Sequence, residues 1–175
     1  MEPIYVGIDP GQGGGIAVIC GSVVAANKMP ETERDLLDCL RGFFNLSDGD
    51  IVAVLERVHS SPQMGVSSSF KFGVGVGRLR MALVAAQIPF DEVTPQRWQK
   101  TLGCRSAGDK NVTKSRAQSL FPDLKVTHAI ADALLIAEYC RRVRVGEPTP
   151  DEQTLKPRKR AKRFAAKRVK EAKLF

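Results

Sequence analysis

YVGIDPGQGGGIAVI, residues 5–19, decides how this chain folds. A short apolar run ends on Asp9, four glycines fall among the next six positions, and a second apolar run follows. The pattern reads as two strands, 4–9 and 14–20, joined by a Gly-rich turn. SVVAANKMP continues as a third strand, ended by Pro30. An acid at the tip of a buried strand, with bulk cleared beside it, asks for partners elsewhere in the chain.

The first partner is in DIVAVLERV, a fourth and buried strand. IYVGID (4–9) and IVAVLE (51–56) each run through mostly apolar residues to an acid, Asp9 and Glu56. Laid parallel and adjacent, about 4.8 Å apart, the two strands bring both carboxylates to one C-terminal edge, where such sheets bind ligands. Two carboxylates that close repel unless a cation sits between them. A third acid, Asp132, lies in HAIADALLIA at the start of the last helix, flanked by Ala129, Ala131 and Ala133, which let that helix approach the sheet. His128 sits one turn earlier on the same face. Thr127 is expected to cap the helix, and at its first position the dipole favours a neutral imidazole. Three acids on separate elements suit Mg²⁺ or Mn²⁺. A pair of such ions can clamp a phosphodiester, and the glycines after Asp9 would admit its phosphate to the backbone. The plainer alternative is two strand-end acids and an Asp at a favourable helix start.

Around these landmarks ETERDLLDCLRGFFN shows a helical stripe of Leu36, Leu37, Leu40, Phe43 and Phe44 with acids in its first turn. A helix is expected over 67–87, a fifth strand in PFDEVTP, and a helix in PQRWQKTL with Thr94 as its cap and Pro95 at its first position. Further helices follow over 111–121 and 128–145. The sum is an α/β domain with a mixed sheet, an antiparallel meander followed by parallel crossovers. The domain spans 1–146, a linker 147–155, and a basic tail 156–175.

The charge is uneven. The tail holds six Lys and four Arg against Glu171, more than the +8 of the whole chain, so the domain is near neutral. Within the domain Arg97, Lys100, Arg105, Lys110, Lys114 and Arg116 cluster against Asp109 alone. Two basic regions point to a polyanionic partner. In the tail Ala161, Phe164, Ala165, Val169 and Ala172 share one helical stripe, a basic amphipathic pattern that suits DNA. Four cysteines without a CxxC pair argue against a zinc site or disulfide framework and fit a reducing cytoplasm. No run is long enough for a membrane span, and MEPIYVG has no signal-peptide pattern.

In this order, GIDPG with Asp9, LERV with Glu56, TPQRWQKTLG followed by AGDKNVTKSRA, and ADALLIAEY with Asp132 resemble the RuvC-type Holliday junction resolvases of the RNase H-like superfamily, particularly those of phages and other viruses. The matches cover most of 4–145. The resemblance implies an RNase H-like fold with a five-stranded mixed sheet and helices on both faces. It also implies a homodimer that nicks two opposed strands of a four-way DNA junction with Mg²⁺ or Mn²⁺, two ions per site. Asp9, Glu56 and Asp132 take the acid positions, and Lys100 and Lys114 fall on basic positions near the scissile phosphate. DNA contacts are expected from Arg97, Lys110 and Arg116 as well. The chain departs from the family twice. His59 stands where an aromatic residue often probes the junction, and Ala129 where a fourth acid usually lies. His128 is therefore expected to complete the metal site or orient the attacking water.

Other readings remain open at this level: an RNase H-like nuclease for flaps, forks or structured RNA, or a non-catalytic structure-specific DNA-binding protein. FGVGVGRL resembles a dinucleotide-binding loop but follows a polar stretch rather than a strand. Its Gly73 and Gly77 suit close helix packing or a dimer contact. Trp98 reads as core, with base stacking as the other role. HSSPQMGVSSS reads as a loop that touches substrate.

Overall fold

The computed structural model describes residues 1–59 and 63–147. Part of the HSSPQMGVSSS loop, most of the linker and the whole basic tail lie outside the described residues. One sheet contains β1 (Ile4–Asp9), β2 (Gly15–Cys20), β3 (Val23–Lys28), β4 (Ile51–Glu56) and β5 (Phe90–Val93), in the order β3-β2-β1-β4-β5. The first three strands pair antiparallel, and β4 and β5 join β1 in parallel. Five helices complete the described residues: α1 (Glu33–Gly42), α2 (Val66–Ala85), α3 (Pro95–Thr101), α4 (Lys110–Leu120) and α5 (His128–Arg144).

Local chemistry sets most boundaries. The Thr32 hydroxyl accepts from Asp35 N at 3.1 Å to start α1, and Asp109 accepts from Asn111 N at 2.8 Å to start α4. Thr94 and Thr127 occupy the N-cap positions of α3 and α5, but neither side chain makes a capping bond. Their carbonyls take the first helical amides instead, Thr127 O receiving Ala131 N at 3.1 Å. Helix α1 ends earlier than its stripe predicts, because Phe43–Asn45 tighten into a 3₁₀ turn. Helix α2 stops at Ala85, and Gln87 then turns left-handed at φ 59°.

Side-chain alternation explains how the sheet is covered. Ile4, Val6 and Ile8 of β1 join Ile51, Ala53 and Leu55 of β4 in a core shared with Leu36 and Leu40 of α1 and Leu79 and Leu83 of α2. Tyr5 and Val54 point the other way, into a core with Trp98, Ala117 and the buried run of α5. By the same alternation Asp9 and Glu56 project toward the α5 side. Helix α5 is buried almost all round from Ala133 to Cys140, as expected of a helix laid across the middle of a sheet.

Gly7 makes that docking possible. A Cβ there would collide with the Ala133 carbonyl and the Ala137 amide of α5. The backbones of β1 and α5 are in direct contact, which small residues alone permit. No helix among the described residues is long and apolar enough to cross a membrane.

Candidate metal centre and nucleic-acid interface

The β1–β4 register pairs Ile8 with Leu55, so the next residues, Asp9 and Glu56, stand side by side at the C-terminal edge. Their carboxyl groups share a hydrogen bond. Glu56, only 9% exposed, also accepts a bond from the Trp98 indole, Nε1 to Oε1 at 2.8 Å. Asp132, on the second turn of α5, adds its charge to both. Its Oδ1 is buried and has no hydrogen-bond partner among the described residues.

Gly14 and Gly15 have a different role from the one their spacing suggests. A Cβ at Gly14 would collide with the Asp9 carbonyl and lie 3.0 Å from its carboxyl carbon. One at Gly15 would lie 2.9 Å from Ala129 O at the start of α5. These two glycines make room for Asp9 and for the helix that carries Asp132. Only Gly13 faces open space in this turn.

The electrostatics follow from crowding acids in a half-buried pocket. Burial, then the charges of Glu56 and Asp132, push the Asp9 carboxyl up to about 8. Burial also raises Glu56, against the Trp98 hydrogen bond. Burial raises Asp132, against the Thr113 hydroxyl and the charges of Lys110 and His128. With Asp9 raised to about 8, the three acids together carry less than their full negative charge at neutral pH.

Three oxygen-donor acids from three elements, one with a buried unpartnered oxygen, form the donor set of a hard divalent cation such as Mg²⁺ or Mn²⁺. A carboxylate oxygen left without a partner costs about 1–3 kcal/mol, and a cation would satisfy it. Among the described residues no three His, Cys, Asp or Glu side chains close into a ready ligand cage. Asp9 and Glu56 are drawn to each other, and His128 stands exposed at the first position of α5.

The basic residues divide. Lys110, at the start of α4, lies near enough to Asp9 and Asp132 to pull both carboxyls down. Lys114, one turn on, lines a polar groove along α4 with Asn111, Ser115 and Gln118. Lys100 is half-buried in the last turn of α3. Arg116 turns inward, donating Nε to the Leu102 carbonyl at 2.9 Å. Arg97 lines a groove with Tyr139, Asp91 and Arg144, which lies along α5 away from the carboxylates. His59 is exposed, three residues past the end of β4. Sequence reasoning missed two links, the Trp98–Glu56 bond and the distinction of Lys110 from its basic neighbours. A buried indole needs an acceptor, and Glu56 was the buried acid to suspect.

No family model matches the chain, and no curated protein sequence matches it either. Solved structures do. Thermus thermophilus RuvC superimposes with a TM-score of 0.58 at 19% identity, covering 84% of this chain and 99% of that one. The fold is that of RuvC. T. thermophilus RuvC in complex with Holliday junction substrate matches at 0.56 and 18%, over 84% of this chain and 98% of the other. The likeness to RuvC therefore covers most of this chain at low sequence identity.

Proposed function

We propose that this protein is a metal-dependent endonuclease that resolves four-way DNA junctions, a phage or viral relative of RuvC acting as a homodimer in the cytoplasm. One observation carries the reading: on a RuvC fold, Asp9, Glu56 and Asp132 converge with the Asp132 Oδ1 buried and unpartnered. Bound Mg²⁺ or Mn²⁺, two ions per site, would supply the polarisation of a phosphodiester and of the attacking water. The chain's own groups do the rest. Asp9, Glu56 and Asp132 would hold the ions. Lys110 offers its ammonium to the scissile phosphate, with Lys114 and Lys100 flanking it. His128 accepts the proton that the attacking water gives up. His59 meets the junction centre, and Arg97 and Arg116 serve the DNA only at the margin, since one lines a remote groove and the other bonds a carbonyl.

The dimer reading rests on α2. Val66, Phe70, Val74, Met81 and Val84 form an exposed apolar stripe along this helix, Phe70 being 73% exposed and Val66 88%. Gly73 and Gly77 interrupt it, and a Cβ at either meets nothing within 4 Å among the described residues. A flat apolar face of that length suits a second copy, and the two-fold symmetry of a four-way junction requires two sites related in the same way.

The test is cleavage of four-way, flap and linear duplex DNA side by side, with Mg²⁺, Mn²⁺ or chelator, beside light scattering of the protein alone and with junction. Paired nicks in the junction, a metal requirement and a dimer mass are expected. Preference for flaps would make it a different nuclease. Binding without cleavage in either metal would make it a DNA-binding protein. A monomer that stays monomeric on the junction would overturn the dimer.

A further inference from the structure

We propose that Trp98 is a positioning residue for the metal centre: its indole N–H holds Oε1 of Glu56 and commits the rest of that carboxylate to Asp9 and a cation. The inference rests on the reading of Asp9, Glu56 and Asp132 as metal ligands. Three observations support it. Trp98 is fully buried, the largest side chain of the α5-side core, so its ring has no freedom to follow a moving carboxylate. Its N–H to Oε1 distance of 2.8 Å is short for a neutral donor. And Glu56, itself 9% exposed, has little water to turn to if the bond is lost.

The choice of donor has a chemical logic. An arginine or lysine in this place would neutralise Glu56 and compete with a cation. An indole N–H is a donor only, carries no charge and cannot ligate a metal. It fixes the orientation of the carboxylate and leaves its negative charge available. Groups that hold a metal ligand in this way change metal affinity or activity by about 10–100-fold when removed.

Helix α3 is the means of delivery. It is seven residues long, opens at Pro95 directly after β5, and places Trp98 in its first turn. β5 in turn pairs with β4, with Glu56 level with Val93. The donor and the acceptor are thus held on neighbouring strands' continuations, 42 residues apart in sequence.

The test uses the full chain, whose one tryptophan is Trp98. Mg²⁺ titrated into the wild-type protein should change its tryptophan emission saturably, and Glu56→Gln should abolish that change. Trp98→Phe, which keeps an aromatic ring and removes the donor, should bind Mn²⁺ about 10–100-fold more weakly by calorimetry, with far-UV circular dichroism unchanged. In cleavage assays it should lower kcat more than it raises KM for DNA. Mn²⁺ affinity within twofold of wild type, in a folded Trp98→Phe protein, would overturn the proposal. If that variant does not fold, the emission titration decides, and saturation by Mg²⁺ without any change in emission overturns it. A wild-type protein that binds neither metal overturns the metal-site reading itself, and that outcome is distinct from a protein that binds metal with Trp98 indifferent.

Discussion

Asp132 and Glu138 lie less than two turns apart on α5, and their surroundings are opposite in kind. At Glu138, Arg141 donates Nε at 2.8 Å and Nη2 at 3.0 Å, Arg142 donates Nε at 2.7 Å, and Glu147 bridges to Arg141 at 3.0 Å. Burial pushes this carboxyl up, but the two guanidiniums more than offset it and hold it below the ordinary glutamate range. At the Asp132 end no guanidinium arrives among the described residues. Lys110 acts through its charge, one Asp132 oxygen has no partner among the described residues, and all three acids are raised. The same helix shows that the chain can neutralise a buried acid with guanidiniums, and does so at Glu138 but not at Asp132. An arginine at the Asp132 end would fill the lone pairs that a cation requires.

The largest expected effects come from removing the three oxygen donors. Asp9→Asn, Glu56→Gln and Asp132→Asn should each lower junction cleavage by about 10³-fold or more, the scale of a lost metal contribution. Junction affinity, by gel shift or anisotropy, should stay within about threefold. Near-normal cleavage by any two of these variants would sink the assignment. His128→Ala should slow cleavage by about 10²-fold, the scale of a positioned acid–base group, while Mn²⁺ affinity stays unchanged. A rate within about threefold of wild type in both metals across pH 6–9 would make His128 a bystander.

Stability should reverse the ranking. Glu138→Gln breaks a charge network from its buried side and should cost about 2 kcal/mol in denaturant melts. Asp9→Asn removes a strained charge and should not destabilise at all at alkaline pH. An equal loss in both variants would erase the distinction between the two ends.

The pH dependence should separate the two ends as well, with opposite slopes. The folded protein holds a proton on Asp9 up to about pH 8, whereas the unfolded chain sheds it near 3.8. The folded state therefore binds more protons across that window. Stability falls as pH rises through it, by at most about 1.4 kcal/mol per pH unit, and levels off above the folded value. Glu138 acts in the other sense: its contribution is present above the unfolded value and is lost as pH falls through the folded one. Melts in chelator should show Asp9→Asn flattening the neutral limb and Glu138→Gln the acid limb. An unflattened neutral limb in Asp9→Asn would place the proton elsewhere.

Much of the fold was legible because strand and helix periods are written in consecutive residues. The ends of β1 and β4, each an acid after an apolar run, gave the shared edge, and the RuvC-like motifs in order gave the five-stranded sheet. What the sequence hid depends on rotation and contact across long separations. Which of Lys110 and Lys114 turns to the acids depends on how α4 sits on the sheet. Trp98 meets Glu56 only because α3 starts where β5 ends. Gly14 and Gly15 looked like space for a phosphate, and their neighbours turn out to be Asp9 and α5. The hydroxyls of Thr94 and Thr127 looked like caps, and the carbonyls took that role. The arginines at 141 and 142 face an acid on their own helix, a pairing that charge counting does not single out.

The contact at Gly7 has a consequence for how the protein is made. The strand carrying Asp9 is synthesised first, and the helix carrying Asp132 is the last element of the described residues. Because the face of β1 that bears Asp9 packs on α5, the three acids cannot meet until that helix has been translated. A nascent chain therefore displays two of the three acids without the third.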